Sequence, residues 1–186
     1  MAWLVTIFVG YVLGSVPASQ LVARAHGVDL LRTGDGNPGA WNALEQLGAR
    51  RAWPAFLGDA LKGALAGAVG YALAGWGGAY AGVAAAMLGH AVPAFAHGRG
   101  GKSVLTFAGG MFACALPAAA CALAACIIVS IGARSFAWGA RAGVFGFPVI
   151  QLAFDPVERV ALTGALMTVI GLLFGVRALQ ARATTA

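Results

Sequence analysis

The thirty residues from Val104 to Ala133 carry no charged side chain and are apolar on every face. A run of this length belongs in hydrocarbon, where every backbone N–H and C=O must be paired internally, so only α-helices and closed β-barrels can cross. A barrel strand would alternate polar and apolar residues over about ten positions, and this run does not. The rest of the chain agrees with the helical choice. It is 60% hydrophobic and only 10% charged, against roughly 25% charged residues in soluble domains. Its 28 glycines suit helices that approach closely in lipid, where small residues let backbones touch. The expected fold is an all-α integral membrane protein, one transmembrane domain over residues 1–186. A net charge of +6 would suggest nucleic acid in a soluble protein. Here it fits loops facing anionic lipid headgroups, so membrane lipid is the expected partner and nucleic acid is not.

The basic residues set the number of spans. Apolar segments fall near 2–23, 53–74, 76–95, 104–116, 118–133, 143–154 and 158–175. As one helix, 104–133 would run about 45 Å, against a hydrocarbon core of about 30 Å, and Pro117 offers a natural break. With the break there are seven spans, and every Lys and Arg except Arg159 falls on one side. Without it, Arg134, Arg141, Arg177 and Arg182 cross to the other side. The positive-inside rule therefore favours a seven-span bundle with short, irregular cytoplasmic-face loops, the amino terminus outside and the carboxyl terminus in the cytoplasm. Val16-Pro17-Ala18 has the look of a signal-peptide cleavage site, but Met1 to Ser19 lacks a basic n-region and reads as an ordinary first span. Cys114, Cys121 and Cys126 have no metal or redox spacing and read as packing residues.

Three polar segments converge on the cytoplasmic side of this topology. Gly34-Asp35-Gly36-Asn37-Pro38-Gly39-Ala40-Trp41-Asn42 places three glycines and two asparagines beside a bilayer, as a ligand loop or as a plain inter-helix turn. Asp59 and Lys62, at i and i+3, share a helix face, where ionisable groups are costly unless they face a polar interior. They read as an intrahelical pair or as a cation held ready for an anionic ligand. Gly89-His90 leads through Pro93 and Phe95 to Gly100-Gly101-Lys102-Ser103, where two glycines, a lysine and a helix start can meet a phosphate. It is not a Walker A loop, because Ala96 stands where that spacing needs its first glycine and no strand precedes it.

In this order, the segments resemble the bacterial acyl-phosphate:glycerol-3-phosphate acyltransferase family, PlsY. The residues that carry the likeness are Gly14-Ser15-Val16-Pro17, Gly36-Asn37-Pro38-Gly39-Ala40 with Asn42, Asp59-Ala60-Leu61-Lys62-Gly63, Gly89-His90 with Pro93 and Phe95, and Gly100-Gly101-Lys102. The resemblance implies a seven-span, multi-pass enzyme of the bacterial inner membrane that moves a fatty acyl group from acyl phosphate to the 1-hydroxyl of glycerol 3-phosphate. The product would be lysophosphatidic acid, a phospholipid precursor, with no cofactor or metal implied. By carry-over, Lys102, His90 and Asn37 would be catalytic. Gly36, Gly39, Asn42, Asp59, Lys62, Gly100, Gly101 and Ser103 would bind substrate. For His90 a helix-end hydrogen bond is the other reading, and His26 and His97 match no motif.

Several positions depart from the family pattern. Asp35 replaces a serine, Trp41 a threonine, Glu45 an arginine and Ser103 a glycine, and the family's polar carboxyl-terminal segment is absent after Gly175. Asp35 and Glu45 place carboxylates where phosphate is expected, with Arg32, Arg50 and Arg51 as candidates to neutralise them. The open alternatives are therefore acyl transfer to a different, cationic acceptor, or a lipid-binding or transport protein on the same scaffold. Oligomeric state is left open.

Overall fold

The computed structural model describes residues 1–185, and side chains as far as Leu179. Arg182, part of the topology argument, lies outside the residues with described side chains. Among the described residues the chain is helical, without strands: α1 (Ala2–Gly14), α2 (Ala18–Ala25), α3 (Ala40–Leu47), α4 (Ala49–Ala91), α5 (Val104–Cys114), α6 (Leu116–Gly132), α7 (Phe136–Phe145), α8 (Phe147–Gln151) and α9 (Val157–Thr185).

The centre of the bundle is α4, which is a hairpin. At Ala74 and Gly75 the backbone leaves helical geometry, and Gly75 takes a φ of 62°. Residues 49–73 and 76–91 therefore run as two antiparallel arms, as the spans near 53–74 and 76–95 predict. Small residues let the arms close on each other and on their neighbours. A methyl at Gly70 would run into the Gly78 carbonyl, one at Gly63 into that of Thr106, and one at Gly109 into that of Ala60. Where hydrocarbon surrounds the helices, such close packing replaces the hydrophobic drive to associate. The main core lies between the second arm, α5, α6, α8 and α9, around Tyr80, Val83, Met87, Phe107, Met111 and Phe147. Large apolar side chains such as Phe8, Ile128 and Leu172 point outward, the arrangement an integral membrane protein requires.

Three expected boundaries are corrected. The first span, expected over 2–23, is two helices. Pro17 has no N–H and its ring crowds the preceding turn, so α1 ends at Gly14 and α2 begins at Ala18. The 104–133 run breaks at Ala115, two residues before Pro117, which lies in the first turn of α6 where its missing N–H costs nothing. The span expected over 143–154 is α7 followed by α8, joined at Gly146, so Arg141 stands within a helix with its guanidinium 5.1 Å from the Trp138 ring. Three stretches are long and apolar enough to cross a membrane by length and composition, Ala2–Ala25, Ala49–Ala96 and Val157–Leu179. α5 and α6 are shorter apolar helices.

The two ends of the molecule differ. At one end, the Arg159 guanidinium lies 3.6 Å above the Trp76 ring beside the hairpin turn and pairs with Asp155 at 2.5 Å. There the Gln151 amide donates to Asp155 and to the Tyr80 hydroxyl, tying α8 and α9 to the hairpin. At the other end the loop after α2 folds onto α3 and the start of α4. That loop is held by a second apolar cluster of Ala23, Leu30, Ala40, Ala43, Ala52 and Ala55.

Candidate functional site

The broken first span creates the floor of the site. With no helix continuing through Pro17, the Val16 carbonyl accepts the Ala18 N–H at 2.9 Å and has room for a second hydrogen bond, from Lys62 Nζ at 3.1 Å. Asp59, one turn earlier on α4, holds the same ammonium at 2.9 Å. Ser19 donates to the other Asp59 oxygen at 2.5 Å, and His90 Nδ1 lies 3.6 Å from the first. All four side chains are buried. A buried carboxylate is tolerated when opposite charge and hydrogen bonds surround it, as they do here. The i, i+3 pair is therefore a junction of α1–α2, both arms of α4 and His90, and not an isolated intrahelical contact.

His90 also organises the glycine loop. Its carbonyl accepts the Gly101 N–H at 3.0 Å, and a methyl at Gly101 would collide with His90 Nε2, as one at Gly100 would with the His90 carbonyl. The two glycines are thus needed because the loop lies directly on the end of α4. Ser103 takes a left-handed conformation and donates to the Met87 carbonyl at 2.7 Å, so it anchors the loop. Arg177 of α9 donates to the Gly100 carbonyl from the opposite side.

The Gly34–Asn42 segment is a folded knot. The two N–H groups of the fully buried Asn42 amide are shared among the carbonyls of Leu30, Thr33 and Asn37. Gln20 donates to Asp29 at 2.6 Å and accepts the Leu30 N–H. Asp29 also accepts the Leu31 N–H. The Gln20 and Leu31 hydrogen bonds, with Arg24 and Arg32 nearby, hold the Asp29 carboxyl below its ordinary pKa. A depressed folded pKa stabilises the loop above the usual carboxylate range, and that contribution is lost as pH falls through the lower folded value. Gly36 has a φ of 68°, as the turn requires, and Gly39 caps α3 against Asn37. Asn37 Oδ1 is buried without a protein partner.

The knot, the broken first span and the glycine loop enclose a cleft of about 710 Å³. Lys62, His90 and Asp59 lie at its base with Gly100 and Gly101, and Arg24, Arg32, Arg99 and His97 line its sides beside Pro38 and Asp29. Cations outnumber carboxylates there, which makes it an anion site by charge. A separate shallow hollow by the α3–α4 corner, lined by His26, Arg50 and Arg51, holds none of these residues.

Three of the departures from the family pattern, Asp35, Trp41 and Glu45, find partners in the structure. Glu45 is exposed, accepts the Trp41 indole N–H at 2.7 Å and takes no part in the cleft, while Trp41 stacks on Phe136 of α7 with ring centroids 5.7 Å apart. Asp35 is neutralised by Lys102, at 3.2 Å, and not by Arg32, which pairs with Asp29. Lys102 follows the lining residues Gly100 and Gly101 but is not itself among those that line the cleft, and its ammonium lies 4.8 Å from the centre of the Phe174 ring. Sequence reasoning missed Ser19, Gln20, Arg24, Arg32, Arg99 and Arg177 as members of the site. Ser19 and Gln20 were open to discovery, since polar residues just past a proline in an apolar span need a partner.

The family model for glycerol-3-phosphate acyltransferase matches residues 4–181. The glycerol-3-phosphate acyltransferase of Rubrobacter xylanophilus is 40% identical over 129 residues, 69% of this chain and 65% of that protein. That of Jannaschia sp. is 37% identical over 149 residues, 80% of this chain and 72% of the relative. The chain thus spans 65% of the Rubrobacter relative and 59% of the Moorella thermoacetica one. In three dimensions it is similar to the crystal structure of PlsY, an integral membrane glycerol 3-phosphate acyltransferase, in its glycerol 3-phosphate form. That superposition has a TM-score of 0.82 at 26% identity, covering 100% of this chain and 93% of the other. The lysophosphatidic acid form gives a TM-score of 0.79 at 25% identity. With a family model running almost end to end and a matching fold around the cleft, the chain belongs to the glycerol-3-phosphate acyltransferase family.

Proposed function

We propose that this protein transfers a fatty acyl group from acyl phosphate to the 1-hydroxyl of glycerol 3-phosphate, giving lysophosphatidic acid for phospholipid synthesis. The observation that carries the reading is the cleft itself. Its buried ammonium, Lys62, is held by Asp59 and Val16 with one N–H to spare, and guanidinium groups flank it. No serine, threonine or cysteine is among the residues lining it. That inventory suits direct transfer from a mixed anhydride, which brings its own leaving group. The hydroxyl oxygen attacks the acyl carbonyl carbon, the ester C–O bond forms, and the C–O bond to phosphate breaks. The hydroxyl proton passes to a phosphate oxygen, and inorganic phosphate leaves.

In this reading Lys62 and the arginines bind phosphate and stabilise the charge that develops on the carbonyl oxygen. His90, held by Asp59, positions the Gly100-Gly101 loop, and Lys102, the next residue along that loop, supplies a further cation. Asn37, next to the lining residue Pro38 and with its buried Oδ1 lacking a protein partner, would accept a hydrogen bond from a substrate hydroxyl. Asn42, Gly36, Gly39 and Ser103 build the loops that carry these groups. The argument for a cationic acceptor loses its basis, because Asp35 and Glu45 are each engaged by the protein.

The same proposal includes a single seven-span domain over residues 1–186 of the bacterial inner membrane, with its amino terminus outside and carboxyl terminus in the cytoplasm. Two contacts support the orientation. Trp3 packs on Gly77 and Arg159 packs on Trp76, so the amino terminus, the hairpin turn and the one exceptional arginine share an end. The cleft and most other basic residues lie at the opposite end, as the positive-inside rule asks of a cytoplasmic face.

The test is acyl transfer by purified protein given palmitoyl phosphate and glycerol 3-phosphate, following lysophosphatidic acid and inorganic phosphate together. Equal amounts of both are expected, with a roughly ten- to hundred-fold loss in Lys102→Ala, as for removal of one hydrogen bond to a charged group. Neither product from folded protein would overturn the proposal.

A further inference from the structure

The Asp35 carboxylate has two partners: Oδ2 is 3.2 Å from Lys102 Nζ, and Oδ1 accepts the Asn37 N–H at 3.0 Å. The second contact is an Asx turn, which fixes the side chain's direction from within its own loop. Lys102 reaches it from the loop before α5, with the Phe174 ring of α9 on its other side. A carboxylate offers an ammonium what a phosphate offers, negative charge and paired acceptor oxygens. Asp35 is thus an anion already seated on the cation that a substrate phosphate would use.

We propose that Asp35 is an internal competitor at the anion site, so that it sets how tightly phosphate groups bind and eases the release of inorganic phosphate. The inference rests on the reading of Lys102 as a phosphate-binding cation. With side chains 24% and 44% exposed, the pair is solvated and screened, so displacing it lowers phosphate affinity by only roughly two- to five-fold. The penalty falls equally on every phosphate ligand. A substrate held by an acyl chain in the bilayer, or by the rest of the cleft, tolerates it. Inorganic phosphate, the departing product, has little else to hold it and is released.

Asp35→Asn keeps an oxygen for the Asn37 N–H and removes the charge, so the loop survives while the competitor is lost. Asp35→Ser, which keeps a smaller turn-forming oxygen, provides a second variant. Two quantities would be measured on full-length protein in detergent: inhibition of acyl transfer by inorganic phosphate, and protection by phosphate against thermal unfolding. Both variants should lower the inhibition constant of phosphate, and KM for a phosphate-bearing substrate, by roughly two- to five-fold, with kcat changed less. The difference should shrink at high salt. Lys102→Ala should weaken phosphate binding and erase the effect of Asp35→Asn in the double variant. Phosphate binding unchanged in Asp35→Asn but weakened in Lys102→Ala would overturn the competition and leave the role of Lys102 standing. Binding indifferent to both substitutions would overturn both.

Discussion

Asp59 is the residue on which the site depends most. It joins Ser19 from α2, Lys62 from the same helix and His90 from the second arm of the hairpin. Removing one partner of a buried ion pair leaves the other charge uncompensated, at about 3–5 kcal/mol, whereas replacing both with apolar groups is often close to neutral. Asp59→Ala is therefore expected to lower the thermal unfolding midpoint in detergent sharply. The double variant Asp59→Leu with Lys62→Met should recover much of that stability and remain inactive. Equal midpoints for the single and double variants would show that the junction matters for its geometry and not for charge balance. Glu45 illustrates the opposite case. Its charge, alarming in the sequence, is exposed and absorbed by Trp41, itself a departure from the family pattern, so the two substitutions work as a hydrogen-bonded pair.

Helix packing depends on where each glycine faces. Gly63 and Gly109 stand where α4 and α5 press backbone against backbone, so a methyl at either would meet a carbonyl oxygen. Gly171, on α9, has nothing within 4 Å of an added methyl. Gly109→Ala should thus destabilise by about 1–3 kcal/mol through overpacking, while Gly171→Ala should be neutral or stabilising by up to about 1 kcal/mol through helix propensity. Unfolding midpoints of the two variants check this directly, and equal effects would contradict the packing described. The break between α1 and α2 is an element-scale device of another kind. Proline ends the helix in the bundle, and the carbonyl before it, which also accepts the Ala18 N–H, becomes a ligand for the lysine.

Across the whole molecule, the polar groups segregate to two ends with different work. One end carries the Arg159, Asp155, Gln151 and Tyr80 network, which fastens α8 and α9 to the hairpin. The other carries the cleft. The proposed orientation predicts that single cysteines at Gly27 and Gly98, in a background without Cys114, Cys121 and Cys126, react with an impermeant maleimide only after the inner membrane is opened. A cysteine at Gly75 should react in intact spheroplasts. Reversed labelling would invert the topology, and labelling of all three from one side would break the hairpin reading.

Membrane residence and helicity follow from the sequence alone, since a charge-free run such as 104–133 has no other stable environment. The approximate positions of the hairpin arms follow as well, because apolar length is a local property. So does the motif set from Gly14 to Lys102, whose order needs no coordinates. Tertiary structure alone decided the partners that charged groups find far along the chain, beyond local pairs such as Asp59 with Lys62. Asp35 pairs with Lys102 across 67 residues and Ser19 with Asp59 across 40. Such contacts depend on how helices cross, which residue spacing within one helix does not encode. The split of the first span and the partition of 136–151 into α7 and α8 were likewise hidden, because apolar composition is indifferent to a single broken turn. What a proline releases matters only where a neighbouring helix brings a donor to meet it.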